Sequence, residues 1–266
     1  MFNIIKSLNY SARRDTPNWI TIISLLLMPF FILFLSGMMN SGSTSEMTPS
    51  LYYASSNLGT VFVFSLIGVM ILGSKLVAGD AADKTLNYEL MAGHSRTRVF
   101  TGRMISGFLW GTVLVFIIFM LPVGLFDLIY GWGPETVKGE VLLRCVLTFF
   151  TMMRYCAYVM MLATVTRSAG KGIALGYATM MIIAIVQSIL EELLKIVIVY
   201  PTAFTNGCAL LIATNSKYVV ENGKQVCKFD TAVTGEMIWK TIGVSILFTV
   251  IYMVISYINF KKTDRD

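Results

Sequence analysis

GDAADKTLNYELMAGHSRTRVFTGR, residues 79–103, separates two long apolar runs. It is too charged to enter a bilayer and too short to be a domain. The runs on either side must therefore be separate elements joined by a surface segment. Ala82, Leu86 and Leu90 recur every four residues, which places them on one side of a helix. Asp80, Asp83, Lys84 and Glu89 cover much of the rest. Gly93 is a C-terminal stop, and Arg96, Arg98 and Arg103 follow as anchors for the headgroup region. The spacing predicts a short helix over 80–92, lying at a membrane surface with an apolar stripe that needs a partner. An ordinary amphipathic surface loop fits the same spacing.

Composition makes the membrane reading general. The chain is 56% hydrophobic and 14% charged, with a mean hydropathy of +0.71. Soluble domains carry roughly 25% charged residues. Several apolar runs of about 20 residues complete the pattern of an all-α polytopic membrane protein. Spans and short loops consume nearly the whole chain, which leaves no room for a separate soluble catalytic domain. The net charge of +6 sits in segments flanking the runs, without a basic tract interleaved by aromatics, so nucleic acid is not an expected partner. The first long run starts near Trp19 at full length and lacks a small-residue cleavage site, so a cleavable signal peptide is not expected.

In chain order, residues 1–16 place Phe2, Ile5, Leu8 and Ala12 on one helical face beside Lys6, Arg13 and Arg14, as in an interfacial helix. A disordered tail is the alternative. Six spans are expected at about 19–39, 58–77, 104–130, 141–166, 172–190 and 237–260. Pro29 and Pro122 should bend the first and third. Gly172 and Gly176 form a small-xxx-small pair that would admit a neighbouring helix, or a chance spacing. Residues 191–236 are irregular, with apolar stretches too short to cross, and are expected to hold re-entrant helices and a loop.

Basic residues set the orientation. Lys6, Arg13, Arg14, Arg96, Arg98, Arg103, Arg167, Lys171, Lys261 and Lys262 fall on one side, against Lys138 alone in the two short loops opposite. Both termini are thus expected in the cytoplasm of a multi-pass cell-membrane protein.

Few residues point to chemistry. Arg154 lies near the middle of the fourth span and Arg144 near its outer end. An arginine at mid-membrane costs about 2.5–3.5 kcal/mol on insertion scales, so it should face protein or water. Gln187, Glu191, Glu192 and Asp127 are candidate partners. The group is either a polar surface on a substrate path or a structural ion-pair set. Cys208 and Cys227 fall in the outward loop, where an oxidising exterior permits a disulfide, whereas Cys145 and Cys156 are packing residues. His94 is the sole histidine, and no metal site, nucleophilic triad or GxxxxGK[ST] phosphate loop is present.

Together these features resemble the permease subunit of ABC-2-type ATP-binding-cassette exporters, over the whole chain. Family members often carry an acidic residue, then G-T-L, a pair of leucines, and Pro-x-Ser-Arg after span two. The matching residues here are Asp80 or Asp83, Thr85-Leu86, Leu90-Met91 and Ser95-Arg96, with Lys84 where the glycine often stands and Gly93 near the proline. The small size resembles permeases of bacteriocin-immunity and peptide-antibiotic export systems. The resemblance implies that 80–92 is a coupling helix, with Leu86 and Leu90 docking on a separate ATPase and Asp83, Glu89 and Arg96 making polar contacts. ATP and Mg would be held by that ATPase, leaving this chain without a cofactor or catalytic residues. It also implies a second permease chain, identical or related, an exported substrate such as an amphipathic peptide or antibiotic, and outward helices at 191–213 shaping the exit. The rival readings are a proton-driven secondary transporter using Arg154 with Glu191 or Glu192, and a membrane scaffold or sensor that transports nothing.

Overall fold

A computed structural model describes residues 2–39, 48–78, 95–193, 202–213, 215–221 and 224–262. The expected helix at 80–92, His94 and residues 194–201 lie outside them. The helices are α1 (Phe2–Arg14), α2 (Thr16–Met39), α3 (Pro49–Ala54), α4 (Asn57–Ala78), α5 (Arg96–Tyr130), α6 (Lys138–Thr166), α7 (Ala169–Leu193), α8 (Ala203–Leu211) and α9 (Gly235–Lys262). Six of them, α2, α4, α5, α6, α7 and α9, are long and apolar enough to cross a membrane. The chain is a multi-pass, all-α membrane protein. α1, the start of α5 and the end of α9 gather at one end of the bundle, here the terminal face. α3, α8 and the loop before α6 lie at the other, the distal face.

α4 is the hub. It packs against α2, α5, α6 and α7, and Phe62, Leu66, Met70 and Leu72 along it are fully buried. Apolar burial drives no association between helices inside lipid, so close packing and polar contacts have to hold them. Both occur here. A Cβ added at Gly111 of α5 would lie 3.1 Å from the backbone of Gly73 in α4. One at Gly172 of α7 would lie 2.8 Å from the Ala163 Cα of α6. The small pair at 172 and 176 is therefore a true helix contact, since Gly176 meets Val159 of the same helix. Polar seams reinforce the packing. α9 buries Thr241, Ser245 and Ser256, Ser256 shares a 3.0 Å hydrogen bond with Thr164 of α6, and Thr241 donates to Asn206 of α8 at 3.4 Å.

Several elements differ from expectation. α1 buries Ile4, Leu8 and Ala12 rather than a face led by Phe2, which is 86% exposed. Its apolar stripe meets Val99 of α5, so it docks on protein. α5 begins at Arg96, eight residues before the expected span, because Val99 and Phe100 find buried sites. It stays helical through Pro122 and contains a π turn at Leu109–Leu114, where Gly111 crosses Gly73. The distal loop holds an antiparallel hairpin, β1 (Ser216–Glu221) with β2 (Lys224–Phe229), alongside the short α8.

Gly172→Val should force α6 and α7 apart. Overpacking of this kind costs about 1–3 kcal/mol. The expected result is a lowered thermal midpoint in detergent, with Gly170→Val, which faces open space, close to wild type.

Candidate functional site

The polar side chains that matter sit at three levels: the terminal face, the middle of the bundle and the distal face.

At the terminal face, hydrogen bonds and an ion pair tie the segments flanking residues 79–94. Arg103 of α5 is 2% exposed, and its Nη1 donates to the Val77 carbonyl of α4 at 3.4 Å. Val77 lies in the last described turn of α4. The two feet of the polar stretch are thereby joined. Lys75 of α4 forms an ion pair with Asp15, between α1 and α2. Trp110 Nε1 of α5 donates to Asn9 Oδ1 of α1 at 2.8 Å. The Asn18 amide and the Trp19 indole close the end of α1 on the Ala12 and Arg13 carbonyls, at 3.1 and 2.7 Å. Arg103 is thus an internal tie and not the headgroup anchor its charge implied. Arg96 and Arg98 are exposed at the start of α5, as is Ser95 before them. Asp80, Asp83, Lys84, Thr85, Leu86, Glu89 and Leu90 lie outside the described residues.

In the middle, Arg154 is 2% exposed. It lines a cavity of about 130 Å³ with Tyr155, Tyr158, Thr179, Thr202, Phe204 and Tyr252. The Tyr155 hydroxyl donates to the Gly176 carbonyl at 3.1 Å, and the Tyr158 and Tyr252 rings lie 5.3 Å apart. Among the described residues, no carboxylate lines this cavity. The expected partners are elsewhere. Gln187 donates to Glu191 at 2.7 Å on an exposed face, Glu192 is exposed, and Asp127 pairs with Lys138 at 2.6 Å. Residues four apart on one helix satisfy each other before reaching a neighbour.

At the distal face, Arg144 of α6 acts as a staple. Its Nε donates to the Thr231 carbonyl at 3.0 Å and its Nη2 to the Ala232 carbonyl at 3.0 Å. Nη1 reaches the Tyr53 hydroxyl at 3.2 Å and the Leu210 carbonyl at 3.4 Å. Tyr53 of α3 donates to the same Leu210 carbonyl at 3.2 Å. One guanidinium thereby holds α3, the last turn of α8 and the strand-to-α9 connection. Its fork of fixed donors suits this task. Glu140, one turn earlier on α6, accepts a short hydrogen bond from the Thr231 hydroxyl. Arg144 therefore has backbone partners, in place of the acidic ones expected. Around it, Ser50 N donates to the Trp132 carbonyl and Phe229 N to the Glu135 carbonyl, each at 3.0 Å. Cys208 and Cys227 are not joined; both are free thiols. Cys208 is on α8, and burial pushes its thiol up to about 12. Cys227 is on β2, opposite Tyr218.

Arg144→Gln removes the fork and leaves buried carbonyls without donors, at a cost of about 2–3 kcal/mol. In a Cys227→Ser background, maleimide labelling of Cys208 should speed up at neutral pH, because loosening the cap hydrates the thiol and raises its thiolate fraction. Arg144→Lys should not restore the slow rate, since one ammonium cannot span the same carbonyls. Unchanged labelling in both variants would show that Arg144 does not hold the cap.

The bonds at the terminal face clasp together the segments flanking residues 79–94. A family model described as ABC-2 family transporter protein matches residues 9–265. No curated protein and no solved structure matches. The matched stretch contains all six spans and the polar segment between the second and third. The chain belongs to the ABC-2 family of transporter proteins and is a membrane subunit of an ABC transporter.

Proposed function

We propose that this permease is half of the membrane portion of an ATP-driven exporter, with residues 80–92 taking the push of a separately encoded ATPase. The family match over 9–265 carries this reading. The ATPase holds ATP and Mg, and this chain supplies the path. Leu86 and Leu90 dock on the ATPase, and Asp80, Asp83, Lys84, Thr85, Glu89, Ser95 and Arg96 make the polar contacts or hold the segment at the headgroups. The terminal face is cytoplasmic, as its basic residues favour. A second permease chain, identical or related, completes the transporter. The wide lipid-accessible faces of α2 and α7, with Phe31 and Ile185 exposed, leave room for it.

The clasp supports the coupling step. The pushed segment leads directly into α5, whose 35 residues make a lever of about 50 Å at 1.5 Å per residue. Arg103 ties that lever to α4, and α4 contacts most of the bundle. An amphipathic cargo such as a peptide or antibiotic suits a route that offers tyrosines and one arginine among apolar walls. Proton-driven transport through Arg154 with Glu191 or Glu192 loses support, because the Arg154 cavity has no carboxylate among the described residues and Glu191 binds Gln187.

In a purified complex, Leu86→Asp with Leu90→Asp should release the ATPase while the permease keeps its thermal midpoint. An intact, active complex would rule out docking at 80–92. Transport by this chain without any ATPase would favour a secondary transporter, and an unaltered cargo distribution after deletion would favour a scaffold.

A further inference from the structure

A groove of about 510 Å³ runs between α5, α6 and α9. Phe108, Val113, Phe149, Met153, Val250 and Val254 form most of its wall. Val113, Val250 and Val254 are also exposed, so the groove opens sideways onto the surroundings of the spans and not into the bundle. Tyr257 closes it toward the terminal face. Tyr257 also belongs to a second cavity of about 210 Å³, shared with Arg96, Thr97, Phe260 and Lys261. The boundary between the two is built: Thr97 and Tyr257 hydroxyls are 3.3 Å apart, and Phe100 packs edge-on against Tyr257 at 5.3 Å and tilted against Phe260 at 5.4 Å.

An apolar trough thus leads to a cationic pocket with a hydroxyl pair at the junction. Length decides what fits. From Thr249, which lines the apolar end, to Lys261 is twelve residues of one helix, about 18 Å at 1.5 Å per residue. One leaflet of the hydrocarbon core is about 15 Å. The trough covers one leaflet and the cations stand at its headgroup level.

We propose that this groove holds an acyl chain of an anionic glycerophospholipid, with the phosphate between Arg96 and Lys261 and the tail along Tyr257, Val254 and Val250. Charge argues against a second copy of the chain as the occupant. A two-fold pairing of copies in one membrane brings like ends together, and each would present the same arginine and lysine. A lipid phosphate complements both. A bound lipid at this seam wedges the start of α5 against the end of α9. The proposal rests on the membrane-spanning fold and does not depend on ATP-driven export.

The test is native mass spectrometry of the delipidated full chain in detergent, titrated with phosphatidylglycerol or with phosphatidylcholine of the same acyl chains. Each basic side chain near an anionic headgroup contributes on the order of fivefold in binding, so phosphatidylglycerol should be retained about tenfold or more over phosphatidylcholine. Lys261→Gln should cost about fivefold for phosphatidylglycerol and little for phosphatidylcholine. Val254→Trp, which fills the trough, should weaken both. Soluble glycerol phosphate should not compete. Equal retention of the two lipids by wild-type protein would overturn the proposal without any variant having to fold. So would an unchanged Lys261→Gln, competition by glycerol phosphate, which would mark a soluble-phosphate site, or a dimer dispersed by Val254→Trp, which would mark a second copy.

Discussion

A guanidinium buried among apolar side chains must find acceptors, and the last carbonyls of a helix lack donors. Two arginines of this protein find theirs on backbone carbonyls of other elements. Arg103 donates to Val77, in the last described turn of α4. Arg144 donates to Leu210, in the last turn of α8, and to the two carbonyls of Thr231 and Ala232 ahead of α9. Each arginine is thereby a tie between elements. Because lipid offers no apolar drive for helix association, such bonds fix relative positions that packing alone leaves soft.

The two ties are at opposite ends of the bundle and serve different neighbours. At the terminal face, Arg103 joins the feet of residues 79–94, and Asp15–Lys75 and Asn9–Trp110 add α1 and α2 to the same joint. The two flanks of the polar segment are thereby joined to α1 and α2 as well as to each other. At the distal face, Arg144 gathers the short helices α3 and α8 and the chain leaving the hairpin into one lid. Glycine contacts at Gly73–Gly111 and Gly172–Ala163 keep α4 to α7 in close contact between them. The π turn at Leu109–Leu114 sits on α5 between the two ends, at a place where helices commonly absorb changes of register.

Much of this was legible in the residues. Six runs of span length and a polar segment after the second gave the fold, since hydrophobic length is a strong signal. The family resemblance came from that layout together with Thr85-Leu86 and Ser95-Arg96. The distal hairpin has a sequence signal too, in a stretch whose irregularity suggests loop: Tyr218, Val219, Val226 and Cys227 flank Asn222-Gly223, a strong two-residue turn signal. The arginine ties were not. Arg103 stands beside Arg96 and Arg98, and charge count alone places all three at the surface. Only the position of Val77 in space separates them. The same holds for Arg144, whose acceptors are three backbone carbonyls and the distant Tyr53 hydroxyl, which no sequence pattern reveals. A disulfide between Cys208 and Cys227 rests on compartment alone, and the structure leaves both as thiols.

Coupling as proposed requires that movement of residues 79–94 reach the distal lid through the Arg103 joint. Spin labels at positions 128 and 239 measure it directly: Leu128 at the end of α5 is 85% exposed and Trp239 near the start of α9 is 77% exposed. With the ATPase bound, a non-hydrolysable ATP analogue is expected to shift the distance between the labels in otherwise wild-type permease. In Arg103→Gln, with the ATPase still bound, that shift should vanish. An equal shift in both proteins would contradict the joint as the route of coupling.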